Sequence, residues 1–244
     1  MPKFFVDKSD ICDNLIKISG SDAKHLTKVL RKNENDDIIV CDGCGFDYDA
    51  VITRIDETCV TLEIKRVYEN ECEPDVKVTL YQAIPKGDKM ETVIQKCTEL
   101  GADKFVPFIS SRIVVKGDEA SFSKKQERWQ KIADEAVKQC LRGKIPKVSK
   151  VLSFEDMLDA ASSHQLCIMP YEACEDTTLK SALGTEFVTD IGVIIGSEGG
   201  FDPSEVEKAK ARGIIPVTLG KRILRTETAG AAVTACIMYH LDRF

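Results

Sequence analysis

The sequence predicts an α/β protein in which a small β domain precedes a larger domain with a mostly parallel sheet. Residues 1–72 contain three strand-like runs (DDIIVCD, DYDAVITRI and CVTLEIKRV) and one short helical stretch, SDAKHLTKVLRK. Short strands at this spacing are typical of a small barrel-like domain. After residue 75, strand-like and helix-like segments alternate, which favours parallel strands connected by helices. The polar segment ENECEPD separates the two patterns, so we predict domains at residues 1–72 and 73–244.

The larger domain is expected to contain six strands, at residues 76–83, 104–110, 148–152, 165–170, 191–196 and 215–220. Asp88 and Glu91 have the spacing of a capping box at the start of the helix DKMETVIQKCTEL, and Gly101 follows its end. In the next helix, Trp129 begins a stripe of apolar residues at every third or fourth position, which indicates one buried face. Parallel sheets bind ligands beyond the carboxyl ends of their strands, so the loops after these strands are the candidate sites.

Composition excludes several classes of protein. Hydrophobic residues make up 43% of the chain, enough for a substantial core. No apolar stretch approaches the roughly 20 residues of a membrane span, and no export signal is recognisable. The ten cysteines are therefore expected to be reduced thiols in the cytoplasm. Cys41 and Cys44 have metal-ligand spacing, but DGCGFD is typical of a hairpin turn and the histidines lie far apart, so we expect no metal.

The charge distribution is uneven. The net charge of −6 argues against a nucleic-acid partner unless basic residues gather on one face. Residues 1–72 contain 10 Lys and Arg against 15 Asp and Glu, whereas residues 86–150 contain 15 against 9. The second segment can therefore form a local basic surface, although such runs are usually only solvated helix faces.

A glycine-rich loop directly follows the predicted strand IGVIIG. Gly196, Gly199 and Gly200 leave space for the backbone to approach a ligand and to offer its N–H groups. The helix after the loop has Asp202 as its N-cap, Pro203 in its first position and Glu205 completing a capping box. The loop matches neither a dinucleotide-binding nor a Walker pattern, and a plain tight turn explains the glycines equally well.

A second loop, LGKRILRTETA, follows the last predicted strand. Thr226 is suited to cap the final helix, and Glu227 complements the positive end of the helix dipole. Arg222 and Arg225 need another explanation, because cations just before a helix oppose that dipole. Two guanidinium groups at this place suit an anionic or polar ligand, such as a phosphate or a base edge.

The two loops together, IIGSEGGFDPSEVE and LGKRILRTETA, resemble those of the SPOUT-class RNA methyltransferases, in particular the bacterial enzymes that methylate N3 of a uridine in 16S ribosomal RNA. HLTKVLR and the hairpin DGCGFDYDAVI resemble the PUA-like RNA-binding domain of that family. PKGDKMETVIQKCTELGA, SSRIVV and the helix of Trp129 resemble its catalytic domain. The sequence departs from the family at Ser197, where proline is usual.

The resemblance implies a trefoil knot in the catalytic domain, S-adenosylmethionine as cofactor, a homodimer, and the small ribosomal subunit or its RNA as partner. It implies that the loops after the fourth, fifth and sixth strands surround the cofactor. The cofactor-binding residues that it implies are Met169, Pro170, Gly196, Ser197, Glu198, Gly199, Gly200, Leu219, Gly220, Ile223 and Leu224.

The implied reaction needs a base, because uridine N3 carries a proton at neutral pH. Glu198 and Glu227 are the candidates, and Arg225 is suited to stabilise charge on the uracil oxygens. Two other classes of function remain open, a non-catalytic RNA-binding module and a small-molecule enzyme that holds a phosphate in the glycine-rich loop.

Residues expected to contact RNA are Lys24, Lys28, Arg31, Lys32, Arg112, Lys116, Arg128, Arg142 and Arg222.

Overall fold

The computed structural model describes residues 3–113, 118–185 and 188–241, so the predicted RNA contact Lys116 lies outside the described residues. The chain divides into two compact units. Unit 1 comprises Met1–Glu73 and Val137–Ile145, and unit 2 comprises Pro74–Ala136 and Pro146–Phe244. None of the helices in the described residues is long and apolar enough to cross a membrane.

Unit 1 is built on a six-stranded sheet. Its strands are β1 (Lys3–Phe5), β2 (Ile11–Cys12), β3 (Leu15–Ser19), β4 (Asp37–Cys41), β5 (Phe46–Ile55) and β6 (Cys59–Glu69), in the spatial order β1-β4-β5-β6-β3-β2. Among the described strands of this sheet, only β1 and β4 pair in parallel. Two register shifts in the β5–β6 pair mark bulges, which bend strands and give the curvature of a small barrel-like domain.

The predicted short helix of unit 1 is present as α1 (Gly20–Lys24), and a π-helical turn continues it over His25–Val29. Leu26 from this turn is fully buried and packs with Ile16, Ile52 and Leu62 of the sheet. The amphipathic pattern of HLTKVLR therefore buries one side and leaves its basic residues outward.

A buried ion pair holds the segment after residue 136 in unit 1. The Nη2 atom of Arg142 lies 3.1 Å from Oε2 of Glu73, and the two side chains are only 4% and 8% exposed. The N–H groups of Gly143 and Lys144 each donate to Oε1 of Glu73 at 2.8 Å. This placement corrects the predicted RNA contact of Arg142, because the guanidinium is engaged inside the protein and not on its surface.

Unit 2 contains the predicted parallel sheet. Its strands are β7 (Lys77–Ala83), β8 (Lys104–Phe108), β9 (Lys147–Val148), β10 (Leu166–Pro170), β11 (Asp190–Ile195) and β12 (Ile215–Val217), in the order β12-β10-β11-β7-β8-β9. All neighbouring pairs are parallel. The third strand is shorter and starts earlier than predicted, and Leu152 forms only an isolated bridge with Phe108.

Helices cover both faces of this sheet. They are α2 (Lys89–Glu99), α3 (Glu119–Cys140), α4 (Phe154–Ala161), α5 (Leu179–Leu183), α6 (Pro203–Ala211) and α7 (Thr226–His240). Because side chains alternate along a strand, Leu80 of β7 packs in one core cluster with residues of α2 and α7. Its neighbour Tyr81 packs in the other cluster with residues of α4 and α6.

The two predicted capping boxes have different outcomes. Asp202 accepts from the N–H of Ser204, and the N–H of Asp202 donates to Glu205, which confirms the box at α6. Asp88 precedes α2, but its side chain makes no capping hydrogen bond, so that predicted box is wrong. The Oδ1 atom of Asp88 lies instead 3.7 Å from Nη2 of Arg128.

The strand order creates a crevice at the carboxyl ends. The chain proceeds from β7 to β8 and β9 on one side, and then supplies β10, β11 and β12 on the other side. Ligands of open parallel sheets bind where the strand order reverses in this way. The knot that the resemblance implies stays a prediction.

Candidate active site

The loops after β10, β11 and β12 surround a cleft of about 740 Å³ in unit 2, within the size range of small-molecule sites. The starts of α2 and α7 complete its wall through Lys89 and Thr226. The cleft is lined by Lys89, Pro170, Tyr171, Glu172, Ile195, Gly196, Ser197, Glu198, Gly199, Gly200, Phe201, Thr218, Leu219, Gly220, Lys221, Arg222, Ile223, Leu224, Arg225, Thr226 and Ala229.

The glycine-rich loop is a tight turn that keeps backbone close to the cleft. The N–H of Gly200 donates to the carbonyl of Ser197 at 3.0 Å. Gly200 has a φ of +63°, a conformation that favours glycine. A Cβ on Gly196 would lie only 3.4 Å from the backbone of Gly200. The loop is therefore a tight turn that also lines the cleft, and its role in binding a ligand stays a prediction.

The cleft-lining Lys89 lies between two carboxylates, of which Glu198 also lines the cleft and Glu227 is not among the lining residues. The ammonium of Lys89 donates to Oε1 of Glu198 at 2.7 Å and lies 3.8 Å from Oε2 of Glu227. The N–H of Lys86 also donates to Glu198, at 3.1 Å. Burial raises the pKa of Glu198, but the bonds from Lys89 and Lys86 outweigh it and hold the pKa below its usual value. Glu198 is thus a stabilised anion.

Glu227 has a different environment. Its Oε2 atom is buried and, within the described residues, accepts no hydrogen bond. A buried oxygen without a donor keeps its lone pairs available to accept a proton. The two predicted carboxylates therefore lie beside the same lysine, but within the described residues the hydrogen bonds from Lys89 and Lys86 go to Glu198.

Another part of the cleft lining is cationic. Lys221, Arg222 and Arg225 all line it and are exposed. Within the parts of the chain that the structure describes, Arg222 and Arg225 take part in none of the ion pairs. Ile223 stands between them with 88% of its surface exposed. These side chains form an unpaired basic and apolar edge that is suited to an anionic, partly apolar ligand.

The start of α7 differs from the sequence prediction. Arg225, not Thr226, occupies the N-cap position, and its side chain makes no capping bond. The hydroxyl of Thr226 instead donates to the carbonyl of Gly196 at 2.6 Å. The amide of Gln82 donates to the same hydroxyl at 2.9 Å. Thr226 therefore connects α7 to the glycine-rich loop rather than capping its own helix.

Arg112 contacts the glycine-rich loop and the first residues after it. Its Nη1 atom donates to the carbonyl of Gly199 at 3.1 Å, and its Nη2 atom lies 3.3 Å from Oδ2 of Asp202. The N–H of Ser111 donates to the buried Glu205 at 2.8 Å. The contact of Arg112 with RNA stays a prediction.

Other predicted RNA contacts lie on surfaces. Arg128 pairs with Glu91 and remains 62% exposed. Lys24, Lys28 and Arg31 are exposed in unit 1, and Nζ of Lys32 donates to the carbonyl of Asp37 at 3.3 Å. These placements leave the four residues of unit 1 on the surface near the predicted helix.

Met169 is not where the sequence analysis expects it. The side chain is fully buried in the core cluster between the sheet and helices α4 and α6, and it does not line the cleft. The alternation of side chains along β10 explains this, because the neighbouring Pro170 faces the cleft. The side chain of Met169 therefore does not cover the cofactor site, and binding through the backbone of Met169 stays a prediction, whereas the other predicted cofactor residues all line the cleft.

Some residues that line the cleft were not predicted from the sequence. Lys89 belongs to the stretch PKGDKMETVIQKCTELGA, which was recognised only as a family likeness. Glu172 and Thr218 follow the ends of β10 and β12. Their position at carboxyl ends of parallel strands was the available signal. Among the described residues no cluster of three or more His, Cys, Asp or Glu side chains could hold a metal ion.

Comparison with known proteins agrees with this geometry. The family profile described as "RNA methyltransferase domain" matches residues 72–238, and "RNA methyltransferase PUA domain" matches residues 18–65. The chain belongs to the RNA methyltransferase family. This confirms the resemblance from the sequence, and the likeness to known structures below confirms the fold class. The cleft therefore lies in the part of the chain that matches the RNA methyltransferase domain.

Individual relatives cover almost the whole methyltransferase. The Bacillus subtilis "Ribosomal RNA small subunit methyltransferase E" is 37% identical over 231 residues, covering 92% of this chain and 90% of the relative. The Neisseria gonorrhoeae "Ribosomal RNA small subunit methyltransferase E", solved bound to S-adenosyl methionine, is 31% identical with a TM-score of 0.83 and coverage of 98% and 97%. A Legionella pneumophila methyltransferase solved with bound SAM is 29% identical with a TM-score of 0.84, also covering 98% and 97%.

Proposed function

We propose that this chain transfers the methyl group of S-adenosylmethionine to N3 of a uridine in 16S ribosomal RNA of the small ribosomal subunit. The observation that carries the proposal is the cleft itself. Its lining combines a close-approach backbone loop with Arg225, Lys89 and Glu198, and Glu227 lies beside that lysine. The relatives support the cofactor and the class of RNA, and neither the non-catalytic nor the small-molecule alternative finds support among them.

The residues present fit the cofactor. The Oγ atom of Ser197 is buried at the cleft and has no partner among the described residues, so it is available to a ligand. Leu219 and Leu224 supply apolar surface, and the loop of Gly196 to Gly200 supplies backbone groups. When bound, the sulfonium supplies the reactive methyl group, while the protein orients it and excludes water.

Glu227 is the better candidate for the base. The anion of Glu198 is already stabilised by Lys89 and Lys86, which weakens it as a proton acceptor. Oε2 of Glu227 is buried without a donor among the described residues. Glu227 would take the proton from N3, and Arg225 would stabilise the charge that develops on the uracil oxygens. Glu198 would then hold Lys89 in place.

The Arg225 role is tested by replacing the guanidinium. If Arg225 presents its planar fork to the uracil, Arg225→Lys should reduce turnover by ~10²–10³, because lysine cannot form two parallel hydrogen bonds. The measurement is single-turnover methyl transfer to small ribosomal subunits at saturating RNA and two salt concentrations, with 3-methyluridine identified by mass spectrometry. Cofactor affinity should stay nearly constant. Wild-type turnover at both salts would show that Arg225 is a tether or a structural residue.

The assignment of the base has its own test. Glu227→Gln should lower the rate of methyl transfer by ~10²–10⁴, because the amide cannot accept the proton from N3. Glu198→Gln makes the same change of nearly constant size at the second carboxylate and serves as the matched comparison. A larger rate loss in Glu198→Gln than in Glu227→Gln would reverse the assignment.

We also propose a homodimer that works in the cytoplasm, where ribosomal RNA is modified. The small residues Ala229, Gly230, Ala231 and Ala232 of α7 allow close helix packing. Part of this set is used inside unit 2, because a Cβ on Gly230 would lie 3.3 Å from Leu80. The outer face of α7 still carries the half-buried Ala232 and Tyr239, which is 80% exposed. Sedimentation should give a dimer mass that Tyr239→Arg reduces. A concentration-independent monomer of the wild type would contradict this proposal.

A further inference from the structure

A buried polar cluster lies directly beneath the cleft. It consists of Gln82 at the end of β7, Thr226 at the start of α7, and the backbone of Gly196 at the start of the glycine-rich loop. Gln82 is 0% exposed and Thr226 is 6% exposed. Buried polar side chains are costly unless their hydrogen bonds are made, so a glutamine inside a parallel sheet needs a specific reason.

The hydrogen bonds of this cluster converge on one carbonyl. The hydroxyl of Thr226 donates to the carbonyl oxygen of Gly196 at 2.6 Å. The amide of Gln82 donates to the hydroxyl oxygen of Thr226 at 2.9 Å and to the carbonyl of Ala83 at 3.0 Å, with a longer contact of 3.4 Å to Gly196. One glutamine thus fixes the rotamer of a threonine, and the threonine fixes the first residue of a loop.

We propose that Gln82 and Thr226 are positioning residues that set the separation between the glycine-rich loop and Arg225. Thr226 directly follows Arg225, and Gly196 directly precedes Ser197 and Glu198. The hydrogen bond between Thr226 and Gly196 therefore joins two separate segments of the chain that both line the cleft. Without it, each loop keeps its own local structure, but their mutual distance is no longer fixed. The cost should appear in cofactor affinity and in the methyl-transfer step.

The helix α7 offers a matched control for this inference. Thr234 is also a fully buried threonine, and its hydroxyl donates to the carbonyl of Gly230 within the same helix at 2.8 Å. Replacing either threonine with valine removes a buried hydroxyl at nearly constant volume. Only the change at Thr226 disconnects two loops of the cleft, whereas Thr234→Val affects the helix alone.

The experiment measures the affinity for S-adenosylmethionine by calorimetry. It measures stability by thermal unfolding, and both use variants of the whole chain. Thr226→Val and Gln82→Met should each weaken binding about tenfold, the scale of one buried hydrogen bond in a network. Thr226→Ser, which retains the hydroxyl, should recover most of the affinity. Thr234→Val should lower the melting temperature to a similar degree and leave affinity within twofold of wild type. The double variant Gln82→Met/Thr226→Val should lose less affinity than the product of the two single losses, because both changes act on the same hydrogen bond.

Two results would overturn the inference. Wild-type affinity in Thr226→Val would show that the bond does not position the loops, and an equal loss in Thr234→Val would show a general effect of stability. The inference rests on the proposed cofactor site. A wild-type protein that does not bind S-adenosylmethionine would reject that site, whereas binding that is unchanged in all variants rejects the positioning role alone.

Discussion

Replacing Arg142 with methionine tests whether the arginine is part of the folded structure or a contact for RNA. Both members of the Arg142–Glu73 pair are buried, at 4% and 8% exposure of their side chains. Removing the guanidinium leaves the carboxylate of Glu73 without its opposite charge, and breaking a buried pair in this way typically costs about 3–5 kcal/mol. Glu73 keeps two backbone donors, from Gly143 and Lys144, so we expect the lower end, about 3 kcal/mol.

The assay is urea unfolding followed by circular dichroism, with Arg128→Met as the matched control. Arg128 pairs with Glu91 while 62% exposed, and exposed pairs contribute about 0–1 kcal/mol. Glu73→Gln and the double variant complete a cycle that isolates the pairwise term. A loss below about 1 kcal/mol in Arg142→Met, together with reduced RNA affinity, would refute the reasoning and restore Arg142 as an RNA contact.

Three further predictions concern the cleft and the thiols. Gly199→Val should weaken S-adenosylmethionine binding, because a Cβ there would lie 3.1 Å from Cβ of Arg112 and the loop must shift; unchanged affinity by calorimetry would remove this loop from the site. Because the folded pKa of Glu198 is lowered, its contribution to stability is present above pH 4.5 and is lost as pH falls through the folded pKa. The difference in melting temperature between wild type and Glu198→Gln should therefore shrink in acid, and a constant difference would contradict this. Burial raises the pKa values of Cys41, Cys97 and Cys167 to about 12, so these thiols should react with a disulfide reagent at pH 8 only after unfolding, and rapid reaction in the native protein would be inconsistent with the packing.

The sequence was informative where local chemistry decides the structure. Apolar runs predicted the strands of unit 2, and the Asp202 box was confirmed because its two partners lie three residues apart. Long-range contacts were not predictable in this way. Lys89 and Glu198 are separated by 109 residues, and Arg142 and Glu73 by 69, so no local pattern shows that they pair. Met169 was misplaced because a likeness names a loop without giving the direction of each side chain.

The hydrogen bond between Gln82 and Thr226 joins residues 144 positions apart in the chain. The entropy of closing so long a segment must be overcome before the contact yields any stability, which slows folding of sheets built from distant strands. During synthesis, the cleft cannot form until α7 has left the ribosome, since Thr226 and Arg225 belong to its start. A growing chain is therefore unable to bind the methyl donor until α7 has been synthesised, and ligand binding reports that unit 2 has folded around the cleft.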